Sequence, residues 1–166
     1  MVSHTNLLAP ADIPSSMVTE LQKWNNGKGI DLGSWINCSG SFSLAVGYTT
    51  IFWPEFVAFD GYILRGGFCE NTLRSFESAD GYDRKAVERV MNHLHIADIQ
   101  HYGCEDISKD KLQILGSSLQ EIYSVKLKAQ FPHAPCVVEF YQPEVDDDLW
   151  GYQISFWQET HDPTLR

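Results

Sequence analysis

Three features of the sequence predict an α+β fold. Apolar residues alternate with small or polar ones near both ends of the chain. Apolar residues at 3–4 spacing fill the middle, and Asp60-Gly61 offers a two-residue turn between two short apolar runs. Together they predict an antiparallel sheet of about five strands, built from two hairpin regions and packed on one side against three to four helices. Residues 1–11 read as an N-terminal arm and 12–166 as a single domain, since 166 residues is of one-domain size.

The elements follow in chain order. Asp12 is a candidate cap for a first helix, with Pro14 in its first turn and Met17, Leu21 and Trp24 on one face. Asn25-Asn26-Gly27 ends it. Asp31 to Cys38 is a short turn or helix anchored by Trp35. Phe42, Leu44, Val46 and Tyr48 alternate with Ser43, Ala45, Gly47 and Thr49, the period of a strand with one buried face. Phe56–Phe59 and Tyr62–Arg65 then form a hairpin. Short helices are expected over 71–78 and 83–94, the second with Val87, Val90, Met91 and Leu94 inward and Arg84, Lys85, Glu88 and Arg89 outward. Residues 96–105 read as a short strand or loop. Ser108 opens the clearest helix, with Ile107 and Leu112 in the staple relation around it and Leu115, Leu119, Ile122 and Tyr123 continuing the stripe. Gly116 near that stripe suggests close packing on the sheet. Alternation at 136–141 and 150–157 predicts the second hairpin.

Composition excludes several classes of function. Asp and Glu outnumber Lys and Arg by 22 to 12, a net charge of −10. Such a field repels nucleic acid and anionic lipid and attracts a basic protein. No apolar run approaches the roughly 18 residues of a membrane span, and Met1–Asn6 contains no Lys or Arg and no long apolar run. These features lead us to expect a cytoplasmic protein with its four cysteines reduced. No Gly-x-Ser-x-Gly elbow, phosphate loop or dinucleotide fingerprint occurs, so no cofactor is implied and catalysis is not indicated.

Two groups of residues merit attention. Between Lys128 and Arg166 there is no Lys or Arg but there are seven acidic residues. If both hairpins share one sheet, its rim is acidic. Asp146, Asp147 and Asp148 then steer a basic partner, with Trp150 or Trp53 as anchor. Glu55, a lone carboxylate in an apolar run, joins this candidate binding set. The plainer alternative is a solvated hairpin loop, with Glu55 in water at a strand corner. The second group is His93, His101 and Cys104, which fall within twelve residues and offer zinc ligands, with His95 nearby. Their spacing is not that of a finger. On a continuous helix His93 and His95 lie about 200° apart, so they converge only if the helix ends near His93. Cys104 and Cys69 each precede a helix, where a thiol is activated.

In size, charge and composition the chain is similar to the small acidic immunity proteins that neutralise basic toxins, although no motif identifies a family. The expected function is therefore a non-catalytic interaction domain presenting an acidic, aromatic-containing surface to a basic partner. The alternative is a small thiol- or zinc-dependent enzyme using the segment from His93 to Cys104.

Overall fold

A computed structural model describes residues 13–145 and 147–165. The arm, its boundary at Asp12, and Asp146 lie outside the described residues. Helices α1 (Ser15–Gly27), α2 (Leu32–Ser39) and α3 (Phe42–Phe52) lead into strands β1 (Phe56–Phe59) and β2 (Tyr62–Arg65). Helices α4 (Glu70–Glu77) and α5 (Arg84–Met91), a two-residue strand β3 (Leu94–His95) and a 3₁₀ turn (Ile96–Ile99) follow. The long helix α6 (Lys109–Gln130) and strands β4 (Cys136–Tyr141) and β5 (Gln153–Gln158) complete the order. The fold is thus mixed α+β with five strands, but the described residues hold six helices rather than three or four.

Residues 42–49 are the largest correction: they form a helix, not a strand. Ser41 caps it, its hydroxyl accepting the Leu44 amide at 3.2 Å. Apolar and small residues occupy nearly every position of this segment, so a period of 2 and a period of 3.6 fit it equally well. The helix wins because its cap is supplied locally, whereas a strand needs a neighbouring edge. Asp31 caps α2 and Asp83 caps α5 in the same way. In the β1–β2 hairpin Asp60 and Gly61 both have positive φ, at 50° and 79°, as a type I′ turn requires.

The two hairpins do not share a sheet. β1 pairs only with β2, and a second sheet runs β3-β5-β4, all antiparallel. The gap between them is closed by Glu88 of α5 and by Asn92, which caps that helix. Glu88 accepts the amide of Ile63 on β2 at 2.8 Å and the amide of Gln158 on β5 at 2.7 Å. Asn92, four residues on, accepts the amide of Arg65 and donates to the carbonyls of Ile63 and Phe156. Gln158 Nε2 and His161 Nδ1 supply two more donors to Glu88. Both side chains are fully buried, and they replace the ladder that two facing strand edges would otherwise make. Glu88 was expected on the outer face of its helix. It lies inside because four donors converge on it.

Helices cover both faces of the larger sheet, not one. On one face α6 packs over Val138, Phe140, Ile154 and Phe156, where a side chain at Gly116 would overlap the Phe140 ring. Phe56 completes this core, set edge-on against Tyr123 and Phe156 at 5.3 and 5.0 Å. On the other face α5 lies against β5, with the Ser155 hydroxyl donating to the Arg89 carbonyl. A smaller core of Tyr62, Leu64, Leu73 and Val87 sits under α4 and α5. The start of α1 is tied to α6 by Asp110, which accepts from Ser15, from Ser16 and from the Ser108 hydroxyl. Ser108 therefore donates to a carboxylate rather than accepting helix amides itself.

Candidate functional site

The chain from α2 to α3 is built almost wholly of apolar and small residues, yet neither helix buries a single residue. α3 meets the core only through its last turn, at Ile51 and Phe52, and a hollow of about 550 Å³ is left between the two helices, the 3₁₀ turn and the first turns of α6. Trp35, Ile36, Tyr48 and Phe52 form one wall, and Ile99, Ile107, Leu112 and Leu115 another. Trp150 closes one side. This volume is within the range of ligand sites, which are apolar with a few placed polar groups. The polar groups here are His101, Cys104, Gln100 and the ion pair of Lys111 with Asp106. Gln100 is hydrogen-bonded to the Tyr48 hydroxyl, which pins the turn to α3.

Trp150 belongs to the hollow because β5 and its approach are fixed from both sides. The Trp150 carbonyl accepts His95 Nδ1 at 2.9 Å, and Asp148 accepts the Gly151 amide at 2.9 Å. The acidic loop before it, with Glu144, Asp147 and Asp148 exposed, therefore ends at the rim of the hollow. The other expected anchor is elsewhere. Trp53 is stacked beside Lys126 Nζ, 4.7 Å from its ring centroid. Trp53 does not line the hollow, although its chain neighbour Phe52 does. Glu55 is exposed where β1 begins, its carbonyl accepting the Gly66 amide. Trp53 and Glu55 thus do not line the hollow with Trp150, and the two hairpins lie in separate sheets.

The histidine-cysteine segment is divided. α5 ends at Met91, so His93 and His95 do converge, with ring centroids 5.4 Å apart and nearly perpendicular. Each ring gives its Nδ1 hydrogen to a carbonyl, Val90 for His93 and Trp150 for His95. In the neutral ring Nε2 is then left to accept. Both face a shallow groove of about 380 Å³ with Tyr82, Tyr141 and the Arg89–Glu139 ion pair. His101 and Cys104 lie instead in the apolar hollow. His101 stacks on Tyr102 at 4.1 Å and its Nδ1 accepts the Gly103 amide. Among the described residues no three His, Cys, Asp or Glu side chains come together as metal ligands, so His93, His101 and Cys104 do not form the expected cluster.

Other thiols differ in character. Cys69 at the start of α4 has its pKa lowered, first by the Thr72 hydroxyl and then by the amides of Thr72 and Asn71. Burial pushes Cys136 up to about 12. Neither faces the hollow. Sequence reading did not find the hollow, because its apolar walls were assigned to a buried strand face. The one available signal was the run from Leu32 to Pro54, which has no charged residue.

This chain matches no protein-family model, no curated protein and no solved structure. Among the described residues no helix is long and apolar enough to cross a membrane.

Proposed function

We propose that the protein is a non-catalytic interaction domain that takes an apolar anchor of a basic partner into the hollow beside α6. The observation that carries this reading is the hollow itself, apolar, open and edged by Trp150 at the end of the acidic loop. Apolar walls reward burial of a bulky side chain. Glu144, Asp147 and Asp148, next to Trp150 in the chain, favour a partner with Lys or Arg flanking that side chain. The acidic partner-binding surface expected from the sequence is thereby reduced to one loop and relocated to one mouth.

Selection from a displayed library of random peptides tests the proposal. The expected winners carry a net positive charge around a Leu, Phe, Met or Trp. Their binding weakens steeply as salt rises, because the charges meet at a solvated rim. Trp150→Ala and Asp147→Lys, both changes of exposed residues, should each reduce it at least about tenfold, or 1.4 kcal/mol. Winners without basic residues, or binding indifferent to both variants, would overturn the reading. Catalysis by Cys104 has one supporting observation, its place with His101 in the same hollow. The zinc form of that alternative requires metal in the purified protein, and less than about a tenth of an equivalent removes it.

A further inference from the structure

The register of the larger sheet gathers polar side chains on one face beside the end of α5. His95 of β3, Gln153 of β5 and Tyr141 of β4 form one row across it, and Glu139 lies in the next row. With His93 and Arg89 they line the groove of about 380 Å³. Arg89 is neutralised there by Glu139 at 2.8 Å. Two different elements hold the imidazoles in the same way. His93 gives its Nδ1 hydrogen to the Val90 carbonyl of α5, and His95 gives its own to the Trp150 carbonyl ahead of β5. A carbonyl only accepts, so the tautomer of each neutral ring is fixed and its Nε2 carries a lone pair. Among the described residues neither Nε2 has a hydrogen-bond partner.

We infer that His93 and His95 bind one divalent ion of the zinc class through their Nε2 atoms. Spacing supports this. Zn–N bonds of about 2.0–2.1 Å at a tetrahedral angle set the centroids of two imidazoles roughly 5 Å apart, and here the centroids are 5.4 Å apart. The hydrogen bonds behind the rings support it independently. A metal-bound histidine characteristically donates its other ring hydrogen to a carbonyl or carboxylate, which orients the ring and raises its basicity. Imidazole nitrogen selects zinc, nickel or copper over calcium and magnesium, which need several oxygens. The field of a chain of net charge −10 draws a cation rather than an anion, and the Arg89 guanidinium that would favour an anion is already paired. No third His, Cys, Asp or Glu joins the pair among the described residues. Two protein ligands leave two tetrahedral positions to water. The site is therefore exchangeable and weaker than a structural one, and it is separate from zinc on His101 and Cys104.

The groove and the hollow share no lining residue, so metal binding and the proposed peptide binding can fail separately. Titration of the full chain with zinc alone, followed through the imidazole nitrogen resonances near neutral pH, tests the site. The Nε2 signals of His93 and His95 should move together and saturate at one equivalent, with a dissociation constant of about 1–100 µM. His93→Ala removes an exposed ring. His95→Asn removes Nε2 but keeps an amide that donates to the Trp150 carbonyl. Each should weaken zinc binding at least about tenfold, and either one serves if the other fails to fold. His133→Ala, at another exposed histidine, should leave binding unchanged. Movement of only one of the two rings overturns the inference, as does a dissociation constant above about 1 mM or wild-type affinity in both variants. If inorganic phosphate moves both rings and zinc does not, the inference is also overturned, in favour of an anion groove on protonated imidazoles.

Discussion

The centre of the molecule and its α2–α3 segment invert the usual arrangement of polar and apolar groups. At the centre a carboxylate and a carboxamide, Glu88 and Asn92, are fully buried. Yet every strand edge they touch is satisfied. In α2 and α3 the side chains are largely apolar, and none is buried. The difference teaches where stability and interaction are divided in this chain. Buried polar groups that find all their partners hold two small sheets as one body. Apolar groups that find no partner within the chain are free to meet something outside it.

Substitution at the centre should have the largest effect on stability. Glu88→Ala removes the acceptor of the Ile63 and Gln158 amides, of Gln158 Nε2 and of His161 Nδ1. Stranding buried donors costs about 1–3 kcal/mol each when no water reaches them, and breaking a buried charged network typically costs about 3–5 kcal/mol in all. For a chain of this length that lowers Tm by roughly 10 °C or more, read by thermal melting. Glu88→Gln keeps the shape and one oxygen, so its loss should be smaller. Phe42→Asp, at the other end of the comparison, should leave the melting unchanged. Equal melting of Glu88→Ala and wild type would mean that the two sheets are joined by packing alone.

The same contrast decides what was legible beforehand. The β1–β2 hairpin was readable because Asp60-Gly61 fixes its turn locally, and β4 and β5 because Val138, Phe140, Ile154 and Phe156 alternate with Glu139 and Ser155. α6 was readable from its spacing and from Gly116, which does lie on Phe140. Glu88 was not, since the donors that draw it inward come from positions 63, 158 and 161, far away in sequence. α3 was misread because Phe42, Leu44, Val46 and Tyr48 alternate while Tyr48, Ile51 and Phe52 follow a helix. The Ser41 cap was the local signal that distinguishes them. Trp150 was singled out for its ring beside the acidic loop, and it lines the hollow. Trp53 and Glu55 fell elsewhere because one sheet had been assumed where there are two. His93, His101 and Cys104 were separated by the 3₁₀ turn, whose course the sequence does not specify.

A smaller effect should appear where α1 joins α6. The Asp110 carboxyl is held well below the usual carboxylate range, first by the Ser108 hydroxyl and then by the Ser16 amide, with the Ser16 and Ser15 hydroxyls adding to it. A carboxylate with a depressed folded pKa stabilises fully above its unfolded value, about 3.9, and that contribution is lost as pH falls through the folded value. Acidification below about pH 4 should therefore loosen α1 before the Glu88-joined centre. Asp110→Asn should loosen it already at pH 7. Hydrogen exchange corrected for intrinsic rates should show lower protection in α1 with β5 unchanged. Water screens this surface contact, so the change is expected below about 1 kcal/mol. If α1 and β5 lose protection together, the molecule opens as one unit and the distinction between its regions is weaker than drawn here.

The smallest effect concerns rates rather than stability, and it compares interior with surface at the level of single thiols. Cys38, Cys69 and Cys104 are exposed, whereas Cys136 is partly buried on β4 with a pKa pushed up to about 12 by burial. Thiolate is the reacting species, so at pH 7–8 Cys136 should be modified last by iodoacetamide. Cys69 should be modified first, because the Thr72 hydroxyl and the amides at the start of α4 lower its pKa. Mass spectrometry of briefly labelled protein orders the four sites directly. Cys136 reacting as quickly as the others would show that β4 frays from β5 under native conditions, and the boundary of the rigid centre would then stop short of that edge strand.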